Sequence, residues 1–284
     1  MKKIVFILFF ASAQITFAQT DTSNYPSLRG KIKDQNFFLK LDSNNADAYL
    51  KRGYCKSQMS DFKGALEDYN KSIKLKSDNS EAYNNRGYVK NQLLNYSEAI
   101  LDFDKAIELK SNYGDAYGNR GFAKYMLKDY EGAIADLNKA TELTEFYPDA
   151  YYYRALAKCF LKDYEGAIVD LNKAIEQSPN NALYYSARGN AENSAEKYKE
   201  AIKDLNKAIQ LNPAYAEAYN NRGCAKAGLK DYTGAIQDFN KAIKLNPNYA
   251  PAYTNRGNVY QVKGKTDKAN ADFLKAEQLK NGLN

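Results

Sequence analysis

The chain has 284 residues, of which 26% are charged and 44% are hydrophobic, and its formal net charge is +7. This composition is ordinary for a folded protein and argues against disorder. The sequence contains no histidine, the commonest general base and metal ligand, so a hydrolase or a metalloenzyme is not favoured. It also has no Gly-rich phosphate loop and no CxxC motif. We therefore expect no enzymatic activity, no metal and no cofactor.

The first residues predict export. Two lysines precede the apolar run from Ile4 to Phe10, and the small residues Thr16 and Ala18 lie two apart, as at a signal-peptidase site. We interpret residues 1–18 as a signal peptide; the alternative, an uncleaved membrane anchor, needs a longer apolar stretch. A periplasmic or secreted protein that is not inserted in the membrane after cleavage is expected. Loss of the two lysines lowers the net charge from +7 to +5 (7 − 2), which gives no reason to expect nucleic acid as a partner.

A lead segment, residues 19–45, precedes the main body of the chain. Near its end Phe37, Phe38 and Leu41 recur at helical spacing. They predict an N-terminal capping helix that covers whatever follows. Residues 19–30 look like a flexible lead.

From Ala46 onward the sequence repeats every 34 residues without insertion or deletion. The seven repeats span residues 46–79, 80–113, 114–147, 148–181, 182–215, 216–249 and 250–283. If the first residue of each is position 1, position 4 is always Tyr, position 20 is always Ala, position 8 is Gly in six of the seven, and position 24 is Tyr, Phe or Leu. A fixed period of this length is typical of repeat architectures.

Each repeat is predicted to form two helices, because apolar residues recur at spacings of three and four in both of its halves. In the sixth repeat, Asp231 is placed to cap the second helix, and Asn246 with Pro247 prevents that helix from continuing. The small residues at positions 8, 20 and 27 are predicted to receive the bulky side chains of positions 4 and 24 where the helices approach closely.

These columns resemble the tetratricopeptide repeat, with an aromatic residue, Gly four residues later, then Ala, Phe, Ala and Pro at a period of 34. The resemblance covers residues 46–283. It implies an all-α fold, a right-handed superhelical solenoid of seven helix-turn-helix repeats, whose concave face is lined by the first helices.

Two further columns depart from the family pattern. Position 7 is Arg and position 23 is Asp in all seven repeats, whereas the family usually has an apolar residue at position 7. Because the counts match one for one, we predict an ion-pair ladder between the two helices of each repeat. The alternative is a stripe of arginines that binds anions.

The seventh repeat is predicted to close the array. Asn270 and Glu277 occupy positions 21 and 28, where the other repeats are mostly Leu or Ile. Terminal repeats need a polar outer face. An array closed in this way has little need to self-associate, so a monomer is expected.

By the resemblance, positions 2, 5, 6, 9, 12 and 13 face the concave groove. Exposed aromatic rings there are good anchors for a partner, and Asn side chains can pair with an extended backbone through both a donor and an acceptor. The candidate contact residues are Tyr54, Tyr88, Asn85, Asn119, Phe122, Tyr125, Tyr152, Tyr153, Asn190, Asn193, Asn220, Asn221, Asn255 and Asn258. The alternative is that the rings are packing residues and the asparagines are solvated.

The sequence therefore predicts a non-catalytic scaffold or adaptor that binds an extended peptide or a partner protein in its groove. Two alternatives stay open: a structural subunit of an envelope complex, and an accessory subunit that positions a separate enzyme. Substitution of Tyr152 and Tyr153 is expected to abolish binding of a groove ligand and to leave assembly through edges intact.

Overall fold

The computed structural model describes residues 25–282, and its regular secondary structure is entirely helical. The helices are α1 (Tyr25–Leu41), α2 (Ala46–Gln58), α3 (Phe62–Leu75), α4 (Ser80–Gln92), α5 (Tyr96–Leu109), α6 (Gly114–Met126), α7 (Tyr130–Leu143), α8 (Pro148–Phe160), α9 (Tyr164–Gln177), α10 (Ala182–Ser194), α11 (Tyr198–Leu211), α12 (Ala216–Gly228), α13 (Tyr232–Leu245), α14 (Ala250–Val262) and α15 (Thr266–Lys280). None of them is both long and apolar enough to span a membrane. The predicted signal peptide lies outside the described residues.

The chain divides into two compact units, and the division falls within α8. The N-terminal unit is described from Tyr25 to Ala157, and the C-terminal unit from Lys158 to Gly282. Within each unit, consecutive helices pack on one another as antiparallel neighbours joined by short turns. Every predicted repeat start is the first residue of a helix, from Ala46 in α2 to Ala250 in α14. The predicted all-α fold of helix-turn-helix repeats is confirmed.

The close packing inside a repeat depends on positions 8, 20 and 24. In the sixth repeat, a Cβ added to Gly223 would lie 2.6 Å from the ring of Phe239, and Ala235 is fully buried. A larger residue at either small position has no room, so these columns set the distance between the two helices.

The tyrosine at position 4 does not fill the small positions but stacks on the arginine at position 7. The guanidinium of Arg222 lies 5.3 Å from the ring centroid of Tyr219, and the same stacking occurs in every repeat.

The turn between the helices of a repeat is built from a left-handed residue followed by a cap. In the sixth repeat, Lys230 has φ +64°, and the backbone N–H of Gly234 donates to Asp231 Oδ1 at 2.9 Å. Helix α13 then ends at Leu245, before the Asn-Pro pair. Both the cap and the helix end are as predicted. The corresponding left-handed position of the seventh repeat is Gly264, at φ +68°.

The arginine and aspartate columns form the predicted ladder. Arg120 donates from Nε and Nη2 to the two carboxylate oxygens of Asp136 at 2.8 and 2.6 Å, and from Nη1 to Asp104 of the preceding repeat at 2.6 Å. Lys124 approaches the same buried Asp136 at 2.7 Å. Bidentate pairs of this kind join Arg52–Asp68, Arg86–Asp102, Arg188–Asp204, Arg222–Asp238 and Arg256–Asp272. Since the fold itself neutralises these arginines, they are not an anion-binding stripe.

The lead segment is more ordered than predicted. Helix α1 begins at Tyr25, so the prediction of a flexible lead over residues 19–30 is wrong for its second half. Helix α1 packs on α2 with Leu28 buried, whereas Phe37, Phe38 and Leu41 are exposed. The spacing of these three residues therefore predicted the helix correctly but not the face that it buries.

Candidate functional site

Two cavities of about 390 and 230 Å³ lie along the first helices of the N-terminal unit. Both are lined by Tyr88, Asn119 and Tyr147, so they form one groove. Tyr54 and Asn85 add to the larger cavity, and Phe122 and Tyr153 add to the smaller. The structure thus brings together six of the predicted contact residues: Tyr54, Asn85, Tyr88, Asn119, Phe122 and Tyr153.

Three aromatic rings of this groove are presented to solvent. Tyr54 is 50% exposed, Tyr88 is 40% exposed and Phe146, in the loop between α7 and α8, is 64% exposed. Exposed rings beside a cavity offer a partner a large apolar contact area at little cost in side-chain entropy. A partner can contact these three rings without any rearrangement of the fold, so they are the candidate anchors of the groove.

A second set of rings packs internally. The centroid of the Tyr153 ring lies 4.8 Å from that of Phe122, 5.8 Å from that of Tyr125 and 5.1 Å from that of Tyr152. Tyr125 and Tyr152 are buried, the latter with only 2% of its surface exposed. The prediction that Tyr125 and Tyr152 contact a partner is corrected, because they fill the space between helices. A Tyr152 and Tyr153 double substitution would consequently disturb packing as well as the groove.

Amide side chains link neighbouring first helices on the floor of the groove. Asn119 donates from Nδ2 to Asn84 Oδ1 at 3.1 Å, and Asn84 donates to Asn85 Oδ1 at 3.3 Å. Asn91 donates to the backbone oxygen of Asn119 at 3.1 Å. These bonds do not use the Nδ2 of Asn85 or the Oδ1 of Asn119. The pair therefore offers one donor and one acceptor, the complement of a peptide group.

Sequence reasoning missed the loop aromatics of the groove. Tyr147 is the last residue of the third repeat, and its ring lies against the backbone of α6 at Gly118, where any Cβ would collide with it. A signal was present, because position 34 is also Tyr in three other repeats, at Tyr113, Tyr215 and Tyr249. This position precedes the first helix of the next repeat and is not among the positions that the resemblance places on the groove.

The groove is acidic. Asp115 and Asp149 line the cavities, and no lysine or arginine is among the described residues that line them. Burial, followed by the charges of Glu81 and Asp115, raises the pKa of Tyr113 to about 12. The pKa of Tyr147 is also raised, first by burial and then by Asp115 and Asp149. The carboxylates thus impose a negative potential on the groove although the chain as a whole is positive.

The inner face of the C-terminal unit differs, and the prediction that its buried asparagines contact a partner is corrected. Asn190, Asn193, Asn220, Asn221 and Asn255 are buried, and Asn258 is half-buried. Asn255 donates to Asn220 Oδ1 at 3.0 Å, Asn220 to Asn221 Oδ1 at 3.1 Å, and Asn193 to the backbone oxygen of Asn221 at 2.8 Å. Two of these bonds join neighbouring first helices, α12 with α14 and α10 with α12, so the amides that make them are used within the fold.

The thiols of the described residues are buried, and their acidic side chains form no metal-binding group. Cys55, Cys159 and Cys224 are buried free thiols, and burial raises the pKa of Cys159 to about 12, so it is a poor nucleophile. Between residues 25 and 282, no three Cys, Asp or Glu side chains are grouped to hold a metal ion.

Comparison with known proteins matches most of the repeat region, residues 46–283, to one kind of repeat. Models described as tetratricopeptide repeat match residues 80–113, 114–147, 216–249 and 239–269. A model described as TPR repeat matches residues 57–93, 161–192 and 189–230. No match was found among curated proteins.

Solved structures show the same fold. YrrB, described as a TPR protein with an unusual peptide-binding site, is 22% identical with a TM-score of 0.58, over 66% of this chain and 96% of YrrB. A tetratricopeptide repeat protein from Parabacteroides merdae is 20% identical with a TM-score of 0.65, over 82% and 93% of the two chains. The Cut9-Hcn1 hetero-tetramer of APC/C is 19% identical with a TM-score of 0.66, over 87% of this chain and 49% of the matched one.

Proposed function

Because the chain belongs to the tetratricopeptide repeat family, we propose that it is a non-catalytic scaffold that holds an extended segment of another polypeptide in the groove of its N-terminal unit. The family fold suggests protein–protein interaction. The groove is our assignment of where that interaction occurs in this chain. The description of YrrB as peptide-binding supports the assignment only as an example of what the fold can do.

The observation that carries the proposal is the pairing of exposed rings with amides in one groove. Tyr54 and Tyr88 are half exposed beside the larger cavity, and Asn85 and Asn119 line the same cavity. The exposed rings can pack against apolar side chains of a ligand, and the amides can hydrogen-bond to its backbone whatever its sequence. A peptide segment in extended conformation can make both kinds of contact at the same time.

A display selection tests the proposal. A library of random peptides of about eight residues, which span ~26 Å when extended, is selected on the purified protein. The Tyr54→Ala/Tyr88→Ala variant removes two of the three exposed rings and leaves Phe146. Leu101→Ala is the matched control, since Leu101 is an exposed apolar residue of α5, a second helix in the same unit. We expect selected peptides to bind the wild type and the control equally, and the double variant about tenfold or more weakly, the cost of a lost anchor.

Peptides that bind the double variant as well as the wild type contradict the groove. If binding is lost instead in the Leu101 control, the second helices form the contact surface. That result favours a structural subunit or an accessory subunit for a separate enzyme.

We also propose that the protein is exported and acts as a periplasmic or secreted monomer that binds protein rather than nucleic acid. The basic start, the apolar run and the small residues at Thr16 and Ala18 support export. N-terminal sequencing of the protein from its source cells is expected to begin at Gln19. A chain that begins at Met1, or a dimer in analytical ultracentrifugation, contradicts the corresponding part of this proposal.

A further inference from the structure

We infer that the segment held in this groove is proline-rich and binds as a polyproline II helix, with prolines three residues apart against the rings of Tyr54, Tyr88 and Phe122. This inference rests on the proposed function and specifies the chemical class and the conformation of its ligand. It follows from three features of the N-terminal unit: the spacing of these rings, their exposed faces and the amides beside them.

The three rings form one column of the repeat. Position 9 is aromatic in the first three repeats, at Tyr54, Tyr88 and Phe122, and in none of the other four. The column lies on α2, α4 and α6, and α4 is in contact with both of the other helices. Tyr54 and Tyr88 line the larger cavity, and Tyr88 and Phe122 line the smaller. The groove therefore follows the column from ring to ring.

The spacing of the column matches the period of a polyproline II helix. The axes of packed helices are about 8–10 Å apart, and rings at the same position of neighbouring first helices recur at about that distance. A polyproline II helix has three residues per turn and rises ~3.1 Å per residue. Every third side chain of such a ligand therefore lies on the same side, ~9.3 Å further along, and can meet the next ring.

The other regular conformations of a peptide fit the groove less well. A β-strand presents side chains to one face at every second residue, so they recur at ~6.6 Å or ~13 Å and miss the period of the rings. An α-helical ligand bonds its backbone groups internally, so it has none to offer to Asn85 and Asn119. A polyproline II helix has no internal hydrogen bonds, and its backbone groups stay available.

The amides recur in step with the rings. Asn85 and Asn119 occupy position 6 of the second and third repeats, and both line the larger cavity with Tyr54 and Tyr88. The bonds between neighbouring amides use the Oδ1 of Asn85 and the Nδ2 of Asn119 and leave the other atom of each side chain for a ligand. A carbonyl oxygen of the ligand can accept from Asn85. The N–H of a residue between two prolines can donate to Asn119, because proline itself has no N–H.

Proline is the residue that suits both the rings and the conformation. Its own ring fixes φ near −65°, the value that polyproline II requires, so little conformational entropy is lost on binding. The exposed faces of Tyr54 and Tyr88 offer an apolar surface against which a proline ring can lie. Grooves lined with aromatic rings bind proline-rich segments in this way in several unrelated folds.

The peptide selection described above also tests this inference, because the sequences of the enriched peptides are read. We expect proline to be clearly more frequent in them than in the unselected library, and prolines three residues apart to be more frequent than prolines at any other separation. Peptides of about eight residues have room for three such prolines, which span ~19 Å. The measurement uses the unmodified protein, so it stands even if a variant folds poorly.

An insertion tests the period itself. One alanine is placed between the first two prolines of an enriched peptide, which turns the first proline away from its ring by about a third of a turn. The control peptide carries the same alanine at its C-terminus, outside the prolines. We expect the insertion to weaken binding to the wild-type protein about tenfold, the cost of a lost anchor, and the control peptide to bind as the original does.

A double-mutant cycle then pairs a ring with a proline. Tyr54→Ala removes the exposed ring at one end of the column, and replacement of a terminal proline of the peptide by alanine removes the group that packs on it. For one of the two terminal prolines, both changes together should weaken binding no more than either change alone, because they remove the same contact. Leu101→Ala, the control on α5, should leave the affinity of every peptide unchanged.

The outcomes separate the two proposals. Enriched peptides that depend on Tyr54 and Tyr88 but show no excess of proline, or that tolerate the inserted alanine, overturn the polyproline II ligand and leave the groove function standing. Losses that simply add in the cycle for both terminal prolines have the same meaning. A selection in which no peptide prefers the wild type over the tyrosine double variant overturns both proposals.

Discussion

Position 11 lacks a lysine in two repeats, where Glu192 and Tyr260 stand, and Glu192 should give the protein a measurable pH dependence. Position 11 carries a lysine bound to the ladder aspartate in five repeats, at Lys56, Lys90, Lys124, Lys158 and Lys226. In the fifth repeat Glu192 occupies this position, buried beside Asp204. Burial, followed by the charge of Asp204 and then of Glu200, raises the pKa of Glu192 from about 4.5 to about 8, and Arg188 opposes the shift.

The sign of the effect follows from proton binding. Between about pH 4.5 and pH 8 the folded protein keeps a proton on Glu192 that the unfolded chain has released, so the free energy of unfolding falls as the pH rises. When the folded state holds one more proton than the unfolded state, the free energy of unfolding falls by about 1.4 kcal/mol for each unit of pH increase. From pH 4.5 to pH 7 the loss is therefore about 3 kcal/mol.

Glu192→Gln and Glu192→Lys test this reasoning. Glutamine keeps the shape without a proton to lose, and lysine restores the partner that the column has elsewhere. Both variants should be more stable than the wild type at pH 7. For Glu192→Gln the free energy of unfolding should be higher by about 3 kcal/mol at pH 7, and this difference should vanish toward pH 4.5. Glu192→Lys should keep an advantage at pH 4.5 as well, because the added ion pair with Asp204 does not depend on that proton. Urea unfolding followed by circular dichroism at several pH values measures it. The raised pKa of Glu217, about 7, acts equally in all three proteins and cancels from the comparison. Parallel pH profiles for the wild type and Glu192→Gln would refute the assignment.

Three further substitutions probe the columns that hold the repeats together, each measured by urea unfolding. Arg120→Ala leaves the buried Asp136 with Lys124 alone and should cost about 3 kcal/mol; a loss below about 1 kcal/mol would mean that the pair behaves as an exposed one. Ala235→Leu should cost ~1–3 kcal/mol by overpacking, and an unchanged midpoint would refute the packing at position 20. Gly264→Ala should cost about 1 kcal/mol because its φ is +68°, whereas the same change at Gly30, which has open space around it in α1, should be neutral or stabilising.

The columns of the sequence predicted the fold because large and small residues at fixed spacing leave few alternatives. Gly223 and Phe239 can be adjacent only if two helices approach closely, and a matched Arg and Asp column needs both helices to face each other. The inner face was predicted less well. The position of a residue in the repeat places Tyr152 and Asn220 on first helices, but it does not show whether neighbouring helices cover them. In the structure both side chains are buried. Glu192 was visible as an exception in a lysine column, but its consequence depends on burial, which only the structure shows.

The comparison of the repeats with one another separates the residues that hold the fold from those that differ for another reason. Positions 7, 20 and 23 are identical in all seven repeats, and their side chains bond or pack within the array. Positions 5, 6 and 9 vary from repeat to repeat on the same helices. Packing does not require this variation, since each first helix meets the same kind of neighbour. In the N-terminal unit the variable positions, with Asp115 and Asp149 at position 2, line cavities with exposed rings and carboxylates. In the C-terminal unit they are buried in an amide network. Because a ligand must displace only water from the first surface but protein hydrogen bonds from the second, recognition is expected in the N-terminal unit, and the Asn network of the C-terminal unit is expected to stabilise the array.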